Sequence, residues 1–124
     1  MGHNILIVED HDFVRKSLKD WLCSIFPDYR IVSAKTGEEA VAVARDILPS
    51  IVIMDISLPG INGIEATKQI KNMDPCARVA ILSIHEDEVY KKDATLAGAS
   101  AYVPKKAMHT ELIPTIKMLL SEKT

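Results

Sequence analysis

The sequence predicts an α/β domain, a five-stranded parallel sheet with helices on both faces. Three observations carry that expectation. Short apolar runs rich in Ile and Val alternate five times with stretches whose apolar residues recur at helical spacing. Proline or glycine stands at several of the joins. A chain of 124 residues with 48% hydrophobic content has room for one core, since about 100 to 150 residues is the commonest domain size. One domain, residues 1–124, is therefore expected.

The first run, Asn4 to Val8, is cut off by Glu9-Asp10-His11-Asp12. Val14, Leu18, Trp21, Leu22 and Ile25 then recur at helical spacing, with Trp21 read as core, until Pro27. Tyr29 to Ala34 reads as a second strand. Thr36 and Glu39 have capping-box spacing before a helix carrying Ala40, Val41, Ala44, Ile47 and Leu48 and stopped by Pro49. Ile51 to Met54 is too short to choose by periodicity. Its β-branched residues and the Pro59-Gly60 turn nonetheless favour a buried parallel strand, with Asp55 at its carboxyl end. A weaker amphipathic helix with Ile64, Thr67, Gln69 and Ile70 follows Gly63 and ends before Pro75. Arg78 to Ser83 is the fourth strand. The acids of His85-Glu86-Asp87-Glu88 suit the start of the next helix, and Gly98 suits its C-terminal cap. Ser100 to Val103 is a short fifth strand. The last helix carries Leu112, Ile113, Ile116, Leu119 and Leu120; with Thr110 as its N-cap, Pro114 predicts a kink or a later start.

Fifteen basic against seventeen acidic residues, with no lysine or arginine run, argue against a nucleic-acid interface in this domain. Cys23 and Cys76 have neither disulfide-framework nor zinc-ligand spacing and read as buried or half-buried thiols of a reducing compartment. The beginning of the chain lacks a secretory pattern, and no apolar run nears the ~20 residues that span a bilayer. A soluble, cytoplasmic protein with no membrane partner is expected.

In a parallel sheet the strand ends share one edge, where ligands bind. Asp55 alone would be an ordinary cap or turn former. Here Glu9 and Asp10 follow the first strand, Asp55 the third, Ser83 closes the fourth and Lys105 lies just past the fifth. Three carboxylates at one mouth repel unless a cation sits among them, and hard oxygen ligands suit Mg²⁺. A hydroxyl and an ammonium supply a donor and a positive charge for phosphoryl oxygens. Together they describe an aspartyl-phosphate site.

These features resemble the receiver domains of two-component response regulators, with a flavodoxin-like, CheY-like (βα)5 fold. The matching residues are Glu9-Asp10 after ILIV, the D-x-x-L-P-x-x-x-G string from Asp55 to Gly63, Ser83 after VAIL, and Ala101 to Lys105. The resemblance implies that Asp55 takes a phosphoryl group from the phosphohistidine of a sensor histidine kinase. It implies Mg²⁺ on Asp10, Asp55 and the main-chain carbonyl of Ser57, with Glu9 acting partly through water, and Ser83 and Lys105 on the phosphoryl oxygens. It also implies a switch through Ser83 and Tyr102, with Ser57 and His85 as rate modulators. The switched surface, made by the fourth helix, fifth strand and fifth helix, would then meet a C-terminal DNA-binding output domain, a partner protein or a second phosphorylated copy. Such a module catalyses only its own phosphorylation and dephosphorylation, and is not an enzyme with a free substrate.

The sequence departs from the family pattern at Lys106, where many members carry a proline after the lysine, often cis; Pro104 precedes Lys105 instead, so a different loop geometry is expected. Without the family, Tyr102 is an amphipathic aromatic at a sheet edge, His11 a solvated ring beside the acids, Lys106 a solvated lysine, and Lys91, Lys92 and Asp93 a solvated helix face. Two other functions remain to be weighed. A haloacid-dehalogenase-like phosphatase would carry a second Asp two residues after the nucleophile, where this chain has Ser57. A receiver-like interaction module that takes no phosphate is disfavoured by the presence of Asp10, Asp55, Ser83 and Lys105. Nucleotide binding fails for lack of a glycine-rich phosphate loop.

Overall fold

The computed structural model describes residues 3–121; the outermost residues of the expected domain, 1–2 and 122–124, lie outside the described residues. Strands β1 (Asn4–Val8), β2 (Arg30–Ala34), β3 (Ile51–Met54), β4 (Val79–Ser83) and β5 (Ala101–Pro104) form one parallel sheet in the order β2-β1-β3-β4-β5. Helices α1 (Asp12–Ile25), α2 (Gly37–Ile47), α3 (Gly63–Met73), α4 (Glu88–Ala97) and α5 (Met108–Ser121) make the connections. The chain moves from β1 outward to β2, then returns to the other side of β1 for β3. The direction of winding thus reverses between β1 and β3, which opens a crevice at the carboxyl ends of those two strands.

Strand alternation divides the core into two layers. Leu6, Val8, Val52, Met54, Val79 and Ile81 pack on one face with Ala40, Val41 and Ala44 of α2, Ala66 and Ile70 of α3 and Ala94 of α4. Ile5, Ile7, Ile51, Ile53, Ala80, Leu82 and Val103 pack on the other with Leu18 and Leu22 of α1 and Leu112, Ile116 and Leu119 of α5. The three central strands β1, β3 and β4 are apolar on both sides because both sides are covered.

Local chemistry fixes the helix ends. Thr36 Oγ1 accepts from the Glu39 N–H at 3.0 Å, as the capping spacing predicts. The reciprocal bond is displaced by one residue: Glu39 Oε1 accepts from the N–H of Lys35, not that of Thr36. Asn62 caps α3 through Oδ1 on the Glu65 N–H. Gly98 ends α4 at φ 104°, left-handed backbone that an L side chain would strain.

Three expectations need correction. The last helix begins at Met108, two residues before Thr110, and runs continuously through Pro114. A 3₁₀ turn, Lys105–Ala107, leads straight into it, so Thr110 lies inside the first turn and donates to the Ala107 carbonyl. Thr110 and Pro114 are both exposed, so water can take the carbonyl that Pro114 has no N–H to satisfy. Cys23 and Cys76 are both exposed. Cys23 follows buried Leu22 on the outward side of α1, and Cys76 sits in the turn between α3 and β4 with its N–H on Asp74 Oδ1. Trp21 is half-buried at the rim of the core, its ring 5.9 Å from that of His109, rather than deep inside.

Candidate functional site

The carboxyl edge of the sheet brings together residues far apart in sequence. Glu9 follows β1 with its N–H on the Ala34 carbonyl, and Asp55 follows β3 with its N–H on the Val8 carbonyl. The acids thus flank the crevice between β1 and β3. Glu9 and Asp55 are 1% and 4% exposed, and Ser83, the last residue of β4, is fully buried. Asp10 sits nearer the mouth, half-buried.

Lys105 joins the two buried acids. Its Nζ donates to Glu9 Oε1 at 2.9 Å and to Asp55 Oδ2 at 3.3 Å. The missing proline after the lysine therefore does not remove it from the site. The 3₁₀ turn after Pro104 delivers the ammonium, and no cis peptide occurs among the described residues. Asp55 Oδ1 accepts from the Ser57 N–H at 3.2 Å, so each oxygen of this carboxylate has a donor.

Burial raises the Asp55 carboxyl above its ordinary range; the Lys105 charge opposes this and the Glu9 charge adds to it, leaving the net shift upward. Burial alone would lower Lys105. The hydrogen bond to Glu9 and the charges of Asp55 and Glu9 outweigh it, and the ammonium is held more firmly charged than usual. Three carboxylates against one lysine leave two uncompensated negative charges when all are ionised. That is the charge of one divalent cation, and the donors are hard oxygens, so the residues fit Mg²⁺.

A second set of contacts spans the mouth. Ser57 Oγ lies 2.9 Å from His85 Nε2, linking the loop after β3 to the loop after β4. The His85 ring stacks on Tyr90 with centroids 4.2 Å apart, while the main-chain N–H of His85 donates to Ser83 Oγ and its main-chain carbonyl accepts from the Tyr102 hydroxyl at 2.7 Å. The residues expected as switch and rate modulators are thus one connected group. Sequence reading found the members but not the bonds between them, because pairs such as Ser57 and His85 are 28 positions apart.

Arg15 was not among the residues singled out from the sequence. Its Nη1 donates to the Glu9 carbonyl at 3.0 Å and its Nη2 to Asp12 Oδ1 at 2.6 Å, so the guanidinium clamps the backbone that carries the acid pair. Its position in the first turn of α1, just after the acids, was the available signal. Lys106 points outward and pairs with Glu86 at 3.2 Å.

The sequence model of the response regulator receiver domain matches residues 5–117. Response regulator GacA of Pseudomonas protegens is 32% identical over 94% of this chain and 55% of its own length. UvrY of Escherichia coli is 32% identical over 95% and 54%, and the transcriptional regulatory protein DegU of Brevibacillus brevis 34% over 93% and 49%. The chain spans about half the length of these curated relatives. Among solved structures, a LuxR-family two-component response regulator from Aurantimonas superposes with a TM-score of 0.88 at 38% identity, covering 95% of this chain and 84% of that one. The response regulator TrrA of Thermotoga maritima, in complex with Mg²⁺-BeF, gives 0.83 at 32% identity, covering 94% and 97%. Because the match runs from the first strand into the last helix and takes in every strand end at the crevice, the chain belongs to the receiver domains of two-component response regulators.

Proposed function

We propose that residues 1–124 form one phosphoacceptor domain in which Asp55 takes a phosphoryl group from the phosphohistidine of a sensor histidine kinase. The observation that carries this reading is the Asp55 carboxylate itself: buried, at the carboxyl edge of the sheet, with Ser57 N–H on one oxygen and Lys105 on the other. In the transfer an Asp55 oxygen forms the new P–O bond as the P–N bond to the kinase imidazole breaks. The leaving nitrogen takes the electron pair and then a proton.

Asp10, Asp55 and the Ser57 carbonyl would hold Mg²⁺, with Glu9 contributing through water. The ion supplies positive charge to the phosphoryl oxygens, whose charge changes most in the transition state. Lys105 follows the developing charge with its ammonium, already pinned between Glu9 and Asp55. Ser83 Oγ accepts from the His85 N–H, which leaves its own proton to donate to a phosphoryl oxygen. His85 and Ser57, joined across the mouth, would tune the rate at which the acyl phosphate is hydrolysed.

Phosphorylation adds about −1.5 to −2 charge. Drawing Ser83 toward it pulls on the His85 backbone, and with it on the Tyr102 hydroxyl and the Tyr90 ring at the start of α4. The α4-β5-α5 surface, on which Val89 is exposed, then changes its partner. That partner is a DNA-binding output domain, another protein or a second copy of this domain. The domain modifies itself in the cytoplasm and turns over no free substrate. Among the described residues no helix is long and apolar enough to cross a membrane.

Intact-mass spectrometry after incubation with acetyl phosphate, with and without Mg²⁺, beside Asp55→Asn, tests the reading. A single phosphoryl adduct that needs both Mg²⁺ and Asp55 is expected. No adduct from acetyl phosphate or from phosphorylated kinase, in a folded protein that binds Mg²⁺, would leave an interaction module instead. Sustained hydrolysis of small phosphomonoesters would point to a phosphatase.

A further inference from the structure

We infer that His11 supplies an imidazole ligand to the cation site at the crevice mouth and shifts its preference toward the later first-row divalent metals. This rests on the reading that Glu9 and Asp10 serve a divalent cation.

The two oxygens of Glu9 face different groups. Oε1 is taken by Lys105 at 2.9 Å. Oε2 accepts from the His11 N–H at 3.1 Å and lies 3.4 Å from His11 Nδ1. The same Nδ1 lies 3.6 Å from Asp10 Oδ1, and one ligand atom from each of Glu9, Asp10 and His11 falls within 4.8 Å of the others. Metal–nitrogen and metal–oxygen bonds of about 2.0 to 2.2 Å place neighbouring ligands of a tetrahedral ion about 3.4 Å apart, so the imidazole already stands near ligand spacing from the Asp10 oxygen, with Glu9 Oε2, which acts through water, at least as close to the ring. The backbone beneath is held by Arg15 on the Glu9 carbonyl. The ring itself is 75% exposed, which leaves the remaining coordination positions to water and gives an ion a way in.

A set of carboxylates, carbonyls and waters suits Mg²⁺ and Mn²⁺, whereas an imidazole nitrogen favours Co²⁺, Ni²⁺ and Zn²⁺. An added nitrogen therefore tightens binding of the later metals and leaves that of Mg²⁺, which it does not favour, as it was. A solvated His11 would tighten neither.

The test is calorimetric titration of the chain with Co²⁺ and separately with Mg²⁺, in wild type, His11→Ala, His11→Gln and Asp10→Asn, each checked for native unfolding. The visible absorption of bound Co²⁺ reports nitrogen ligation directly. Both His11 variants should lower Co²⁺ affinity about tenfold or more, the usual scale for losing a group that tunes a metal, leave Mg²⁺ affinity unchanged and shift the Co²⁺ bands. Equal Co²⁺-to-Mg²⁺ ratios and unshifted bands in wild type and both variants would overturn the role of His11. Wild-type Mg²⁺ binding by Asp10→Asn would instead overturn the reading on which the inference rests.

Discussion

Replacing Gly63 by alanine probes how the phosphoacceptor loop is held. A Cβ at this position would overlap the Asp55 carbonyl oxygen and lie 2.8 Å from the Asp55 carbonyl carbon and 2.9 Å from Ile56 Cα. All three are backbone atoms, so no side chain can swing aside. Gly63 is also fixed from its other sides: its N–H donates to the Ile56 carbonyl at 2.9 Å, and its carbonyl accepts from buried Thr67 Oγ1 at 2.7 Å. Overpacking costs about 1 to 3 kcal/mol, and contact with rigid backbone puts this site near the top of that range. Alanine recovers at most about 1 kcal/mol of helix propensity, less at a first helical residue. The expected net loss is about 2 kcal/mol, and at roughly 4 °C per kcal/mol the Tm falls by about 8 °C. Urea unfolding followed by Trp21 fluorescence and far-UV circular dichroism measures it. Relief of the overlap moves the Asp55 carbonyl and its side chain, so phosphoryl uptake slows as well. A variant within about 0.5 kcal/mol of wild type, with unchanged uptake, would refute the close approach of α3 to the Asp55 loop.

Because Asp55 is held above its ordinary range, unfolding releases its proton between the unfolded and folded values, and this group's contribution to stability falls as pH rises through that window. Asp55→Asn is therefore expected to be more stable than wild type at neutral pH, with a gap that closes in acid and narrows on adding Mg²⁺; urea titrations across pH measure it. Arg15→Ala removes the charged hydrogen bond to the part-buried Glu9 carbonyl, and about 1.5 kcal/mol of stability should go with it. The Asp12 carboxyl, lowered chiefly by its hydrogen bond to Arg15, should return toward its ordinary range in a carbon-detected NMR titration. Tyr102→Phe deletes the bond to the His85 carbonyl at a cost of about 1 kcal/mol, and amide exchange in the loop after β4 should speed up while the rest of the sheet is unchanged.

Most of the fold was legible because both faces of the sheet are covered, so residues 5–8 and Ile51–Met54 appear in sequence as unbroken apolar runs ended by acids. The site was legible for a related reason. In a parallel sheet the strand ends share one edge, so finding the strands places Glu9, Asp10, Asp55, Ser83 and Lys105 there without any knowledge of the side chains. What escaped depended on contacts with no sequence period. The start of α5 follows from the Lys105–Ala107 turn, which has no capping residue to announce it. The outward placement of Cys23 follows from the stripe of Leu18 and Leu22, which leaves the next position on the solvent side. The Arg15 clamp and the Ser57–His85 bond join groups whose partners are set by loop geometry alone.

The central claim, that Asp55 is the residue that carries phosphate, is tested most directly by borohydride reduction of the phosphorylated domain followed by peptide mass spectrometry. Reduction of an acyl phosphate turns an aspartate into homoserine, which has lost one oxygen and gained two hydrogens. The account predicts that conversion at Asp55 alone, and only when Mg²⁺ was present during phosphorylation. Conversion at Asp10, reduction of Glu9 to its own alcohol, or a phosphoryl adduct that leaves every aspartate unreduced, would contradict it.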